Sequence, residues 1–197
     1  MKLFLIVSGI LILIFIIFQI YTAMATTATN AQPYTVIRTE LDFEIRFYPP
    51  ATLATIRSSA RTYKDLSGPG FRKLAGYIFG GNESEKKIAM TTPVHMDIND
   101  SLSSMSFVMP EEYSLANLPK PKDAQVELMT TEGEYVAAIR FGGFASDAEI
   151  QANRIKLENA LKASSVSHKG NFRFLGYNPP YQLFGRRNEV VVTVNWK

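Results

Sequence analysis

The segment 86–98 reads KKIAMTTPVHMDI, and its hydrophobic pattern is the strongest single indication of the fold. From Ile88 onward apolar side chains occupy the even positions apart from Thr92, while the odd positions carry mostly small, polar or charged side chains. A repeat of two is typical of a β-strand that buries one face and exposes the other. Because proline cannot donate a hydrogen bond to a neighbouring strand, Pro93 predicts a bulge or a sheet edge at this point. The other elements are expected to pack around this strand.

Similar alternation on both sides of this segment predicts further strands. The first is expected to begin at Leu41 and to be half-buried, with Asp42, Glu44, Arg46 and Tyr48 on its solvent face, and 51–56 is a second strand or a bent continuation of it. The others are expected at 105–109, 135–141, 172–176 and 190–196. A short helix is predicted at 70–78, because Phe71, Leu74, Ala75 and Ile78 share one face and Gly80-Gly81-Asn82 follows it. A second helix is expected to begin after Ser146, where the serine and Glu149 form a capping box, and to end near Lys162.

Each half of the chain therefore has the order strand, helix, strand, strand. This order predicts an α+β domain in which two similar β-α-β-β units pair their strands into one curved antiparallel sheet or open barrel. The two helices are expected to pack outside that sheet. Residue identity between the halves is weak, so the repeat rests on element order alone.

The N-terminal segment has the composition of a membrane-spanning helix. Residues 3–21 are almost entirely Leu, Ile, Val and Phe, which is close to the length needed to cross a bilayer. Lys2 precedes this run and the next basic residue is Arg38, which predicts a cytoplasmic N-terminus and a domain on the non-cytoplasmic side. The alternative is a signal peptide cleaved after Ala23-Met24-Ala25, which would leave the domain periplasmic or secreted. The expected divisions are an anchor or signal peptide at 1–25, a linker at 26–33 and a domain at 34–197.

Composition excludes several classes of function. The 197 residues contain no cysteine and only two histidines, which excludes disulfides and argues against a structural zinc site. The net charge is only +3 and no basic run is present, so no nucleic-acid partner is expected. No nucleophile elbow, phosphate loop or dinucleotide fingerprint occurs, so the chain is expected not to be an enzyme. Oligomeric state cannot be read from the sequence.

Two groups of polar residues could contact a ligand. His95 could ligate a haem iron, but its face of the strand also carries Lys87 and Asp97, so a solvated surface histidine is the competing interpretation. Arg186 and Arg187 are adjacent and could hold a carboxylate ligand, or one of them could pair with Glu189 and fix the start of the last strand.

Five segments, in this order along the chain, resemble the SOUL haem-binding family. They are FYPPA at 47–51, the helix at 70–78 running into GGN at 80–82, IAMTTPV at 88–94, FGG at 141–143, and GYNPP at 176–180 through GRRNEV at 185–190. Each is short, but together they cover essentially residues 34–197. The apolar N-terminal segment lies outside the resemblance.

The resemblance implies a distorted antiparallel β-barrel flanked by two helices, with internal pseudo-symmetry. It also implies reversible, non-catalytic binding of haem or a related tetrapyrrole, which a membrane-tethered or exported protein would buffer, carry or scavenge. The haem groove would lie between the first helix of the domain and the loop before the last strand. The apolar groove residues would be Phe71, Leu74, Ala75, Ile78, Tyr181, Leu183 and Phe184, with Lys73, Arg186 and Arg187 near the propionates.

The helix at 70–78 contains no histidine, so binding is expected to rest chiefly on apolar contact. A groove of apolar side chains with cations at its rim suits a flat porphyrin that carries two carboxylates on one edge. The alternative function is a binding scaffold that takes a protein or another apolar molecule in the same groove.

Overall fold

The computed structural model describes residues 2–196, which form three α-helices and nine β-strands. The helices are α1 (Lys2–Ala28), α2 (Tyr63–Ile78) and α3 (Asp147–Ala163). The first five strands are β1 (Thr35–Thr39), β2 (Glu44–Tyr48), β3 (Ala51–Ser58), β4 (Val94–Asp97) and β5 (Ser103–Val108). The last four are β6 (Glu127–Thr131), β7 (Glu134–Phe141), β8 (His168–Gly176) and β9 (Asn188–Val194).

All nine strands form one antiparallel sheet in the order β1-β2-β7-β9-β8-β4-β5-β3-β6. The sheet curls into a half-barrel with β1 and β6 at its two edges. Helices α2 and α3 pack on one face, α2 against β3 and β5 and α3 against β7, β8 and β9. The predicted α+β class, with a distorted antiparallel barrel flanked by two helices, is confirmed.

The prediction lacked the two edge strands, β1 and β6. Both are short and mostly exposed, so neither shows the alternation that identified the others. When the edge strand β1 is set aside, two strands precede each domain helix directly, β2 and β3 before α2 and β6 and β7 before α3, rather than the one of the predicted β-α-β-β unit. The sheet order of β2 to β9 is also symmetric. If each of β2–β5 is exchanged with its counterpart in β6–β9, the same order results, read from the other edge of the sheet. Topology is therefore compatible with a repeat, while similarity of the halves at residue level stays a prediction.

The segment 86–98 lies at the centre of the sheet. Its strand, β4, pairs with β5 on one side and β8 on the other, so it joins the two halves of the chain. The predicted burial of even positions holds for Ile88, Val94 and Met96. The strand itself is shorter than predicted, because it begins directly after Pro93, which lacks the N–H that a ladder needs. The prediction of a bulge or sheet edge at Pro93 is wrong, since the proline lies just outside the ladder.

Helix α2 begins earlier than predicted. Thr62 caps it by accepting a hydrogen bond from the Asp65 amide at 3.1 Å, so Pro69 lies inside the helix rather than near its first turn. The predicted end is confirmed, because Gly80 takes a positive φ of 110° and the buried Asn82 side chain donates to the Tyr77 carbonyl. Helix α3 begins as predicted, with the Ser146 hydroxyl accepting from the Glu149 amide at 3.2 Å.

The sheet face opposite α2 and α3 is also buried along its central strands. On β2, Arg46 and Tyr48 were expected to face solvent, but they are only 3% and 4% exposed, while Leu41 is 98% exposed in the turn before the strand. The segment 30–34 covers this face: the Gln32 amide donates to the Thr92 carbonyl at 2.7 Å. The Tyr34 ring lies 5.2 Å from that of Tyr48. A covering segment of this kind leaves no periodic signal in the strand it covers.

Among the residues described, one helix is long and apolar enough to span a membrane. This part of α1, Phe4–Thr26, has only 6% of its most apolar stretch buried. A signal sequence near an N-terminus would meet the same criterion. Helix α1 continues to Ala28, so it includes the first residues of the predicted linker.

Candidate functional site

The predicted apolar stripe of α2 mostly faces the core. Leu74 and Ile78 are fully buried and Ala75 is 8% exposed, all in the cluster that joins α2 to β3, β4 and β5. Phe71 is the open member of the stripe: it is 40% exposed, and its ring meets Phe107 edge-on at 5.3 Å. In this conformation Phe71 is the stripe residue that a ligand can reach.

The loop between β8 and β9 exposes the other predicted apolar residues. Tyr181, Leu183 and Phe184 are 56%, 40% and 70% exposed. Phe144, which the sequence analysis did not single out, is 53% exposed and belongs to the same surface through Arg186. We call Phe144, Tyr181, Leu183 and Phe184 the apolar loop surface.

Arg186 holds this loop in shape. Its Nη1 donates to the carbonyls of Pro179 and Gln182, both at 2.7 Å, and its guanidinium lies 4.4 Å from the Phe144 ring centre. Its Nε is buried and has no hydrogen-bond partner among the residues that the structure describes. Burial lowers the pKa of this guanidinium, and the guanidinium in turn opposes the effect of burial on the pKa of Tyr63. The charge of Arg186 therefore acts on Tyr63, at the N-terminal end of α2.

Helix α1 also contacts the apolar loop surface. The Gln19 amide donates to the Tyr181 carbonyl at 3.1 Å and accepts from the Leu183 amide at 2.9 Å. The Thr26 hydroxyl donates to the Gln182 side chain at 2.8 Å, and the rings of Phe18 and Tyr181 lie 6.1 Å apart. In the sequence, Gln19 is only one of the few residues that interrupt the apolar run at 3–21. Its spacing to residue 181 offers no signal of this contact.

Arg187 belongs to a different environment, a buried ionic network. Glu189 is fully buried, and the Arg46 guanidinium donates two hydrogen bonds to its carboxylate, of 2.7 and 3.1 Å. Arg187 donates to the same carboxylate at 2.8 and 3.0 Å, and the Tyr177 hydroxyl donates at 2.9 Å. The ion pair with Glu189, one of the two alternatives for Arg187, is therefore present. A role for Arg187 toward a ligand stays a prediction.

The electrostatics of this network favour a charged Glu189. Burial opposes ionisation of the carboxyl group, but the hydrogen bonds and charges of Arg46 and Arg187 outweigh it and lower the Glu189 pKa. Burial likewise opposes the charge of Arg46, and Glu189 outweighs it, so the Arg46 pKa is raised. Burial first, and the Glu189 charge second, raise the pKa of Tyr177. The network is built around one carboxylate.

The two remaining candidates lie away from the apolar loop surface. Lys73 is exposed on α2 and donates to the Gln125 side chain. His95 lies on the sheet face opposite α2, where its Nε2 is 2.8 Å from the Gln32 Oε1. His95 is half-buried rather than fully solvated, since its ring contacts Gln32 of the segment 30–34, and its role as a haem-iron ligand stays a prediction. Desolvation, helped by the charge of Arg173, lowers the His95 pKa to about 3.

His95 should make folding sensitive to mild acid. Its folded pKa of about 3 lies below the ordinary 6.5, so below pH 6.5 only the unfolded chain takes up this proton. The contribution of His95 to the free energy of unfolding is therefore complete above that pH, and below it the free energy of unfolding falls by at most about 1.4 kcal/mol per pH unit. Glutamine does not titrate, so the free energy of unfolding of His95→Gln should fall less than that of the parent chain on acidification. Between about pH 7 and about pH 5 we expect this difference to reach about 2 kcal/mol at most in unfolding titrations. An equal pH dependence in the parent chain and in His95→Gln would contradict the assignment.

A separate cavity of about 550 Å³ opens beside the segment 30–33. Its walls include Pro33, Pro49, Pro50, Pro110, Tyr113, Glu111 and Glu112. The sequence analysis did not identify it, because its walls come from five separate parts of the chain. Two carboxylates on its wall make it a poor place for a ligand that carries carboxylates itself.

Within residues 2–196 no group of three or more His, Cys, Asp or Glu side chains could hold a metal ion.

Solved structures show the same fold in proteins of unrelated sequence. The EcmrR C-terminal domain superposes with a TM-score of 0.59 at 8% identity, covering 80% of this chain and all of that domain. A hydrolase from Listeria innocua gives a TM-score of 0.54 at 9% identity, covering 81% of this chain and 94% of that one. At such identities the likeness concerns the fold alone.

Sequence relatives are closer. Heme-binding protein 2 of Mus musculus is 31% identical over 156 residues, which is 75% of this chain and 76% of that protein. Heme-binding protein 1 of Xenopus laevis is 29% identical over 155 residues, 75% of this chain and 81% of that protein. The family model described as SOUL heme-binding protein matches residues 29–193, beginning directly after α1. The chain therefore belongs to the SOUL heme-binding protein family.

Proposed function

We propose that this chain binds haem or a related tetrapyrrole and buffers, carries or scavenges it without catalysis. The observation that carries the proposal is the apolar loop surface, whose four exposed apolar side chains include Phe144, with its ring centre 4.4 Å from the Arg186 guanidinium. The relatives named as heme-binding proteins support the choice of ligand. In this proposal the ligand contacts Phe71, Tyr181, Leu183 and Phe184.

The residues at this surface fit a porphyrin plate. Exposed aromatic and aliphatic side chains lose contact with water when a flat apolar ring covers them, which stabilises the complex by about 25 cal/mol per Å² buried. Arg186 supplies a positive charge for a propionate, although its Nη1 atom already donates to backbone carbonyls. Arg187 already forms an ion pair with Glu189. Lys73 is exposed, and in this proposal it exchanges its hydrogen bond to Gln125 for a contact with a propionate. Among the described residues both histidines lie elsewhere, so the proposed contact is apolar and electrostatic.

We also infer that α1 anchors the domain to a membrane. Its length and apolarity support a membrane span. The basic residues near the span are placed as expected for a domain on the non-cytoplasmic side, with Lys2 before it and no Lys or Arg after it until Arg38. Cleavage after Ala25 would instead release a periplasmic or secreted domain.

A hemin titration of the full chain in lipid nanodiscs tests the proposed function. We expect a saturable shift of the hemin absorption band, and we expect Phe184→Ser to weaken binding about tenfold, since one buried phenyl ring is lost. Phe79→Ser is the matched control, because Phe79 is 61% exposed at the far end of α2. Absence of any saturable shift would overturn the function. An unchanged affinity in Phe184→Ser would overturn the site.

A further inference from the structure

The exposed apolar side chains of α1 and those of the apolar loop surface are neighbours. Phe18 on α1 lies against Tyr181, and beyond this contact both elements expose apolar side chains to the surroundings. Contiguous apolar surface of this kind on a protein marks a contact with another apolar phase. The same surface continues onto a helix long and apolar enough to span a bilayer, which makes the bilayer the occupant that this surface fits best.

The position of Gln19 along α1 sets the depth of the loop. Residues 3–21 rise by about 1.5 Å each and so extend about 28 Å, close to the roughly 30 Å thickness of the hydrocarbon core. Gln19 lies within one turn of the C-terminal end of this run. The groups that it binds, the Tyr181 carbonyl and the Leu183 amide, must then lie near the boundary between hydrocarbon and headgroups. Tyr21 and Tyr181 have the amphipathic rings that favour this layer.

The polar side chains at this end of α1 have partners suited to a membrane boundary. Gln19 is 8% exposed, and its amide oxygen and nitrogen each have a partner in the loop. The Thr22 hydroxyl donates to the Gln19 carbonyl one turn back, and the Thr26 oxygen, whose hydroxyl donates to Gln182, lies 2.9 Å from the Thr22 carbonyl. Polar groups at membrane depth are tolerated where they are satisfied inside the protein. Gln19 therefore does not weaken the case for a span, and it fixes the loop to it.

We propose that the apolar loop surface docks into the interfacial layer of the bilayer that α1 spans, with Gln19 holding it there. This inference rests on the membrane placement proposed above and deepens it, since it makes α1 a structural partner of the loop rather than a tether. Cleavage after Ala25 would remove Gln19 and leave the loop without this support. Docking also gives the site access to apolar ligands dissolved in the membrane.

The absence of cysteine from the chain makes a direct test possible, since one introduced thiol can be labelled uniquely. The full chain carrying Phe184→Cys, labelled with a polarity-sensitive fluorophore, is reconstituted in vesicles of phosphatidylcholine and phosphatidylglycerol. We expect a blue-shifted emission and strong quenching by lipids spin-labelled near the headgroup. The control is Ala163→Cys, at the exposed far end of α3, which should stay unquenched. Equal, water-like behaviour of the two labels would overturn the docking.

A second variant tests the role of Gln19. Gln19→Leu keeps α1 apolar, so the chain should still resist extraction from vesicles by alkaline carbonate, yet quenching at position 184 should fall at least severalfold. Unchanged quenching would overturn the part assigned to Gln19. An N-terminus found at residue 26 in the protein from its native membrane would overturn retention of α1. Hemin binding is measured separately. Quenching at position 184 in a protein that shows no saturable hemin shift would leave the docking intact and remove the proposed ligand.

Discussion

Replacing Glu189 by glutamine is expected to lower the free energy of unfolding by about 3–5 kcal/mol, the largest loss expected from a near-isosteric change in this protein. The carboxylate is fully buried and accepts hydrogen bonds from Arg46, Arg187 and Tyr177. Glutamine has nearly the same shape but no charge, so the Arg46 guanidinium, itself 3% exposed, loses its buried counter-ion and keeps only the more exposed Glu44, at 2.8 Å. A buried charge whose buried partner is removed is far more costly than a lost surface pair.

The second ion pair on this sheet face provides a matched control. Glu134 binds Arg173 at 2.8 Å, but the two side chains remain 27% and 23% exposed. Water screens that pair, so Glu134→Gln should cost no more than about 1 kcal/mol. Unfolding by denaturant, followed by the fluorescence of the single tryptophan, Trp196, compares both variants with the parent. A loss in Glu189→Gln no larger than in Glu134→Gln would show that the network contributes little.

A double variant isolates the pair itself. Arg46→Met combined with Glu189→Gln removes both ends of the strongest contact, the two hydrogen bonds between Arg46 and Glu189. In the double variant neither residue leaves the other as a buried charge beside a neutral partner. The loss in free energy of unfolding should therefore be clearly smaller than the sum of the losses in the two single variants. Additive losses would mean that the two residues act independently.

The sequence predicts what depends on local periodicity. Ile88, Val94 and Met96 are buried as alternation requires, and the Ser146 cap of α3 is where the capping box places it. The prediction failed for Arg46 and Tyr48, because alternation assigns one face to solvent while a distant segment, 30–34, covers it. Periodicity reports the environment of a strand only when that environment follows from the strand's own neighbours.

The candidate site shows the same division. The sequence identified the loop before the last strand through its family resemblance, and the exposed Tyr181, Leu183 and Phe184 remain its candidates. It could not show that Gln19 contacts this loop, because that contact spans more than 160 residues and uses backbone groups that every sequence has. It also could not tell which face of α2 is left open. A stripe of apolar residues has the same pattern whether it lines a groove or fills a core.

Leu74→Ala and Phe71→Ala separate these two roles. Leu74 is fully buried between α2 and the sheet, so truncation leaves a cavity and should cost about 3 kcal/mol of stability, within the range of about 2–5 for such sites. Hemin affinity of the folded variant should stay within about twofold of the parent's, because the removed atoms never met the ligand. Phe71→Ala should do the reverse. Its ring is 40% exposed, so stability should fall by only about 1 kcal/mol while hemin binding weakens severalfold.

Denaturant unfolding and hemin titration, applied to both variants in nanodiscs, decide between a core stripe and a groove stripe. Ala75, which is 8% exposed one turn from Phe71, offers a third position: Ala75→Ser should change hemin affinity little if the stripe belongs to the core. Weakened hemin binding by folded Leu74→Ala would mean that α2 moves away from β3 and β5 to admit the ligand. In that case the groove implied by the family resemblance forms only with the ligand bound, and the buried positions of Leu74 and Ile78 describe the empty state. Unchanged binding would instead place the ligand on the exposed loop and Phe71, with Leu74 and Ile78 supporting the helix from beneath.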